Sequence, residues 1–543
     1  MLRTQLDTRQ LTIGNILKEK ARRHPNRRAL TFLPDGRLYT YSDLHTLSNQ
    51  LANGLLTLGI KHGDHVAVML DNCPEQLLLY FALGKIGAVA VPLNPALHGK
   101  MLTYFLTHSD CMGVICDSKL LTRVAEIAHE TPMIRVRVAF DENQNYKAIL
   151  GDGRLSESVT YDTLLEADNR EPDCQVNFRD LAFLLYTSGT TGPSKANMFT
   201  QAQTLLYAIE QVDGYGYTES DTVYVCLPLF HANGLLSSTY GPLMIDGHVA
   251  MARRFSASAF WDDIRTAGAT VTGLLGSMTN ILWHQPVRTD DASNPLRAAV
   301  LIPVTQFGKQ FAERFDIQAI SSYGLTDYAL ATIYRAGDLP SKLGSAGQPR
   351  FGMSIRIVDD DDFDLPANQL GEILLRSDNM WGTSLGYYKM PEATLSAMQN
   401  AWFHTGDRGY LDQDGYLYFV DRKKDVIRRR GENISAFEVE EVIISHELVS
   451  DVAVFPVKSS MSEDEVAVCI ILAPGAQLSE IALTDFCIAN MAYFMVPRYI
   501  RYVAELPRTP SQKIEKYKLQ AQAQDNLSVF WDREQAGIIL RRT

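Results

Sequence analysis

Along the first 350 residues, hydrophobic and polar positions switch between two periods. The segment "YSDLHTLSNQLANGLLTLGI" (41–60) spaces its apolar side chains three and four apart, as a one-sided helix does. The run "HVAVML" (65–70) that follows is short and apolar, as a buried strand is. The pairing recurs at "LTYFLTHSD" (102–110) followed by "CMGVIC" (111–116). The most apolar stretch, "QLLLYFALGKIGAVAVPL" from Gln76, is broken by Lys85, two glycines and Pro92, so it predicts a buried helix running into a strand rather than a membrane span. Helical segments alternating with apolar strands predict parallel sheets covered by helices.

From Gly352 the texture changes. The segments "MSIRIVDDDDFDLPANQLGEILLRS" (353–377) and "GYLDQDGYLYFVDRKKDVI" (409–427) read as hairpin strands joined by Asp, Gly and Asn turns, which predicts a small β-rich subdomain. The acidic run Asp359 to Asp362 lacks the Gly and terminal Glu of a calcium loop and reads as a solvated turn. Beyond Asp421 a helix ("SAFEVEEVIISHE"), two strands ("DVAVFPV", "EVAVCIILA") and a second helix ("LTDFCIANM") predict a compact final unit of α+β type. The boundary falls at "DRKK", which divides the chain into residues 1–420 and 421–543. No internal repeat or low-complexity tract interrupts it.

Composition narrows what such a chain can do. Its 543 residues are too many for one ordinary core, and 46% hydrophobic content is ample for two. A formal charge of −12 argues against a general nucleic-acid or anionic-membrane binder, so any polyanion must sit in a local pocket. Seven cysteines, an odd number without CxxC spacing, suggest neither a disulfide framework nor a zinc site and fit a reducing cytoplasm. The N-terminus has scattered charges and no apolar h-region, so a secretory signal is not expected.

The candidate chemistry centres on "YTSGTTGPSKANMFT" (186–200), a Gly- and hydroxyl-rich loop after the apolar run "LAFLL". Gly189 and Gly192 free backbone N–H groups to surround an anion, Thr187, Ser188, Thr190 and Thr191 add donors, and Lys195 adds charge. The spacing is not that of a Walker A loop, and by itself the segment reads equally as a polar surface turn. It has company, however. In order along the chain stand "YTSGTTGPSK", "YGLTD" at Tyr323, "WFHTGDRGY" at Trp402, "DRKKDVIRRRGENIS" at Asp421 and "PRTPSQKIEK" at Pro507. This ordered set resembles the adenylate-forming superfamily of acyl-CoA synthetases, luciferase-like enzymes and peptide-synthetase adenylation domains. The segments "LDNCPE", "FALGKIGAVAVPLN" and "FCIANMAYFMVPRYI" resemble its carnitine/crotonobetaine CoA ligase branch.

The resemblance implies an α/β fold, with a large N-terminal adenylation domain of helix-covered sheets plus a β-rich subdomain, and a small mobile α+β C-terminal domain. It implies nucleotide binding by Thr187, Ser188, Gly189, Thr190, Thr191, Gly192, Lys195, Tyr323, Gly324, Thr326, Asp407, Arg422 and Lys513. Within this set Tyr323 would stack on adenine, Thr326 would donate to the α-phosphate, and Asp407 and Arg422 would hold the ribose. Asp327 would be the Mg²⁺ ligand, although the family usually has Glu there; the bland reading is a helix-terminal cap. Lys513 would bridge the acyl carboxylate and α-phosphate, with Gln512 where many relatives have Gly. His231, in "PLFHANG", would line the acyl entrance, so Lys513, Thr326 and His231 form the catalytic set. Asp421 would be the hinge between two working conformations. Gly431 and Arg430 would meet CoA, as could Arg428 and Arg429, unless those arginines form a solvated basic face.

The implied activity is ATP-dependent acid–CoA ligation through an acyl-AMP, with Mg²⁺ required and ATP, CoA and a small carboxylic acid as partners. Neither nucleic acid nor a membrane span is expected, and a homodimer is left open. A carnitine-like acid would need aromatic faces for its quaternary ammonium, for which Phe230, Tyr240 and Trp283 are candidates. Medium-chain, aryl and sterol-type acids remain alternatives, as do a luciferase-type oxygenase and an ATP-binding scaffold without turnover, for which Asp327, Ala196 and Gln512 are the departures that count. The loop "LIPVTQ" (301–306) differs from the family's adenine loop.

Overall fold

The computed structural model describes residues 6–540 apart from 96, 98, 145, 147–157, 188–193, 305–306, 423–425, 430–431, 459–463, 492 and 510–511; at 99–101, 421, 422, 426, 428, 432, 433, 435, 437 and 438 it describes the backbone alone. The chain divides into two compact units. One comprises Met1–Gly189, Pro193–Ser354 and Arg376–Ala401; the other comprises Thr190–Gly192, Ile355–Leu375 and Trp402–Thr543.

In the first unit a seven-stranded sheet runs in the order Val159–Thr160, Val136–Phe140, Cys111–Asp117, His65–Met69, Val89–Pro92, Leu181–Thr187, Lys195–Thr200. Its first six strands are parallel and the last turns back antiparallel. A nine-stranded sheet has six parallel strands at its centre and an antiparallel strand pairing at each edge. One of those edge hairpins, Gln318–Leu325 with Ala329–Tyr334, carries the Tyr323 motif.

The inward faces of both sheets share one core with two helices. Pro74–Ile86 is buried at all 13 positions, Glu75, Gln76 and Lys85 included, and Gly87 closes it with φ of 71°. Gln201–Tyr215 is capped by the Thr200 side chain, which accepts from Gln203 N, and it too is buried over most of its length.

The second unit begins with an antiparallel array of Met353–Val358, Gly371–Ser377, Trp402–Leu411 and Leu417–Arg422, the expected β-rich subdomain. Within the acidic run, Asp359 Oδ1 accepts from the backbone of Asp361 and Phe363, which makes a self-capped turn. The C-terminal part packs helices Ala436–Ile444, Glu480–Asn490 and Lys516–Asp525 with a four-stranded sheet, so the α+β reading agrees with the structure. Among the described residues no helix is long and apolar enough to cross a membrane.

Candidate active site

The first unit holds three of the candidate segments: the strands flanking the glycine-rich loop, the Tyr323 motif and the His231 segment. "KANMFT" forms the strand Lys195–Thr200, paired antiparallel with Leu181–Thr187; Ser188, Gly189, Thr190, Thr191 and Gly192 lie outside the described residues. The facing strand ends are held by side chains. Thr187 Oγ1 donates to Lys195 O at 3.4 Å, Tyr104 Oη donates to Ser194 O at 2.8 Å, and Tyr186 Oη lies 2.8 Å from His108 Nδ1.

The Tyr323 motif is a hairpin turn, which removes the helix-cap reading of Asp327. Tyr323 is buried, and a strand irregularity follows it at Gly324. A Cβ on Gly324 would fall 2.4 Å from Ala329 O, so only glycine allows the two strands to approach this closely. Ala329 answers with φ of 54°. Thr326 sits half-buried in the turn, and Asp327 is 8% exposed.

Two groups that sequence reasoning missed hold this turn. Arg350 and Glu210 form an ion pair of 2.8 Å at 5% and 2% side-chain exposure, and Asn379 Nδ2 donates to the same carboxylate at 3.2 Å. Arg350 also donates through Nε to Leu330 O and through Nη1 to Phe351 O at 3.0 Å. A glutamate on a helix buried almost throughout must find a charged partner, and that was the available signal. The second group is Tyr387. Its ring centre lies 4.7 Å from Lys195 Nζ, and the Asp327 charge is near enough to act on its hydroxyl. Burial and the Asp327 charge push that hydroxyl well above the usual tyrosine range, so it remains a neutral donor.

Among the described residues no three His, Cys, Asp or Glu side chains converge as a metal cage. A buried carboxylate such as Asp327 would suit Mg²⁺ as one ligand shared with substrate phosphates, a common way of binding this cation.

His231 precedes the wide π-helical segment Asn233–Tyr240, its ring 4.7 Å from that of Phe230. A Cβ on Gly234 would lie 2.4 Å from Pro228 O, which explains the glycine in "PLFHANG". The three aromatics considered for a cationic substrate fall into separate clusters. Phe230 meets His231, Tyr240 packs on Phe81 and Phe183, and Trp283 stacks on Phe307.

In the second unit Asp407 and Arg422 are direct cross-strand partners in the hairpin Trp402–Leu411 and Leu417–Arg422, and Asp421 opposes Arg408. Asp407 is 2% exposed; its backbone N–H donates to Thr405 Oγ1 at 3.0 Å, and Gly406 N donates to Glu372 Oε1 at 3.1 Å. The reading of Arg429 as a CoA-facing cation is corrected. It is 2% exposed, pairs through Nε with Glu465 at 2.7 Å and donates through Nη1 to Phe494 O and Val496 O, so its charge is spent inside the unit. Arg430 and Gly431 lie outside the described residues. Lys513 stands exposed on a tight turn in which Thr509 N donates to Lys513 O at 2.7 Å and Lys513 N to Thr509 Oγ1 at 3.2 Å. Gln512 in that turn adopts φ of 64°, the left-handed region that glycine enters freely.

Residues 17–388 match the AMP-binding enzyme family, and residues 438–513 match the AMP-binding enzyme C-terminal domain. The chain belongs to the AMP-binding enzyme family. It is 32% identical over 495 residues to a crotonobetaine/carnitine–CoA ligase of Salmonella heidelberg (strain SL476), an alignment covering 89% of this chain and 93% of that one. Its structure superimposes on an anthranilate CoA ligase in complex with anthranoyl-AMP with a TM-score of 0.86 at 25% identity, over 97% of this chain and 100% of the other. The o-succinylbenzoate coenzyme A synthetase of Bacillus subtilis, solved with ATP and magnesium ion, gives 0.78 at 26% identity, over 93% and 98%. The CoA ligases of this family are acid–thiol ligases, and the expected α/β architecture of the adenylate-forming enzymes is the one observed.

Proposed function

We propose that this chain joins a small carboxylic acid to coenzyme A in two steps on one nucleotide site. In the first, a carboxylate oxygen attacks the α-phosphorus of ATP, the bond to the β-phosphate breaks, and pyrophosphate leaves. In the second, the CoA sulfur attacks the acyl carbon and AMP leaves. The observation that carries this reading is the Lys195 ammonium held over the Tyr387 ring, on a segment that is also hydrogen-bonded to the Tyr323 turn through Ser384 N and Asp327 O, because an anionic leaving group needs a cation held in place.

In this reading Thr187 through Gly192 and Lys195 hold the outer phosphates, Tyr323 and Gly324 face the adenine, and Thr326 donates to the α-phosphate. Asp407 and Arg422 take the ribose hydroxyls, and their cross-strand pairing supports a joint role. Lys513 neutralises charge developing in the adenylation step, and Asp421 is the hinge about which residues 421–543 turn. His231 lines the acyl entrance, and Gly431 and Arg430 serve CoA. Asp327 would hold Mg²⁺, which when bound would neutralise phosphate charge.

The kinship with a crotonobetaine/carnitine–CoA ligase makes a betaine-like acid the first substrate to test. Phe230, Tyr240 and Trp283 do not form one cage, so such an acid would need other groups for its cation, and medium-chain, aryl and sterol-type acids are the competitors. The experiment is incubation with ATP, Mg²⁺, CoA and a panel of these acids, with AMP and acyl-CoA quantified by mass spectrometry. Equal amounts of AMP and one acyl-CoA are expected. AMP without a thioester from any acid would contradict the ligase reading in favour of another use of the adenylate, and no AMP from a broad panel would overturn adenylation itself.

A further inference from the structure

The helix Gly99–His108 covers the outer face of the seven-stranded sheet, turned away from the core that the two sheets share. Its Leu102, Phe105 and Leu106 are buried there with Leu184 and Ala196, which come from the two strands flanking the glycine-rich loop. None of its residues belongs to the proposed catalytic or nucleotide set, yet its polar side chains reach both of those strands.

Tyr104 and His108 stand four apart on one face of the helix, their rings stacked at 5.3 Å with 20° between the planes. Tyr104 Oη donates to Ser194 O at 2.8 Å, and His108 Nδ1 lies 2.8 Å from Tyr186 Oη. The Tyr186 ring packs edge-on against Phe105 at 4.4 Å. Just past the helix, Asp110 accepts from Tyr388 Oη at 2.8 Å and from Lys389 Nζ at 2.6 Å. Tyr388 in turn donates through its backbone N to Ala196 O at 2.8 Å, and its neighbour Tyr387 opposes Asn197 along the same strand edge. One helix and the residues that follow it therefore fasten Tyr186, Ser194 and Tyr388 together.

Ser194 O and Lys195 N belong to one peptide plane, which is rigid. A hydrogen bond to that oxygen sets the direction in which the chain enters Lys195. Ala196 faces the helix, so Lys195, one position away on the strand, turns to the opposite face, where its ammonium lies 4.7 Å from the centre of the Tyr387 ring. The helix thus holds Lys195 by its backbone, from behind the sheet.

We infer that Tyr104 is a positioning residue for the outer phosphates of ATP, acting through the Ser194–Lys195 peptide, with His108 holding its ring. The inference rests on the proposed role of Lys195 in holding those phosphates. The proposed adenine and ribose contacts lie on other segments. Loss of the Tyr104 hydrogen bond is therefore felt by ATP, whose outer phosphates need Lys195, and spared by AMP, which lacks them.

The test is titration calorimetry of ATP and of AMP, each with Mg²⁺, on the whole chain as wild type, Tyr104→Phe and His108→Leu. A neutral hydrogen bond is worth about fivefold in an equilibrium. Tyr104→Phe keeps the stacked ring and removes only the donor, so it should weaken ATP about fivefold and leave AMP within about twofold of wild type. His108→Leu keeps the hydroxyl, removes the ring it rests on and should shift the ratio of the two affinities in the same direction. In pyrophosphate–ATP exchange, Tyr104→Phe should raise the KM for ATP and leave that for the acid unchanged. Wild-type ATP affinity in Tyr104→Phe, or an equal loss for ATP and AMP as a merely structural hydroxyl would give, would overturn the inference and leave the ligase reading intact. Absence of ATP binding by the folded wild type would instead overturn the ligase reading. If Tyr104→Phe fails to fold, His108→Leu decides: an ATP-selective loss supports the inference, and an unchanged ratio of the two affinities contradicts it.

Discussion

Asp327 and Lys513 carry opposite charges at the same proposed reaction, and their surroundings differ as much as their signs. Asp327 is 8% exposed on a hairpin turn whose neighbours are held by Arg350 and Ser384. Lys513 is exposed and is held to Thr509 by backbone and side-chain contacts, with Arg508 donating to Gln512 O and pairing with Asp451. The first arrangement fixes a group at the cost of burying charge. The second leaves a cation at the surface of its unit. Buried groups should therefore show up in stability and ATP affinity together, and the exposed lysine in one chemical step alone.

The largest effect on the reaction should come from the exposed side. Lys513→Ala is expected to slow adenylation by about 10²–10³-fold while thioester formation from supplied acyl-AMP stays within a few-fold of wild type. Equal loss of both half-reactions would break the contrast. Next is Arg350→Leu, which strands the Glu210 carboxylate and should destabilise the chain by about 3–5 kcal/mol in chemical unfolding. Adding Glu210→Leu should recover most of that loss, and a double variant as unstable as the single would refute the ion-pair account.

Asn197 sharpens the comparison from within the buried region. It is fully buried, and among the described residues neither atom of its amide finds a partner. Asn197→Val should therefore raise the unfolding midpoint, by the equivalent of about 1–2 kcal/mol. The smallest change is expected at Gln512→Gly, which relieves the left-handed backbone and should stabilise by about 0.5–1 kcal/mol without altering ATP affinity. A loss of stability there would mean that the turn is not strained.

The sequence made the sheets and their covering helices legible where period alone decides them, as in the helix Pro74–Ile86 and the strand Val89–Pro92. Tyr323, Gly324 and Asp327 could be singled out because they sit in one short motif, and the glycine proves sterically obligatory. The return strand at Lys195–Thr200 was hidden because Lys, Asn and Thr break its apolar pattern, and the burial of Asn197 follows from a partner nearly two hundred residues away. Tyr387 left no local signal either. Its segment has neither helical nor strand period, and its meaning comes from pairing with a distant strand edge. Arg429 misled because three consecutive arginines read as a surface, whereas the middle one, alternating inward on its strand, finds Glu465.

If the proposed function holds, this chain adenylates a carboxylic acid before any CoA is needed. The most direct test of that claim is the exchange of labelled pyrophosphate into ATP with Mg²⁺ and no CoA, scanned over the acid panel. The account predicts exchange that depends on one class of acid and is lost in Lys513→Ala. Exchange without any acid, or none with any acid in a chain that binds ATP, would contradict it.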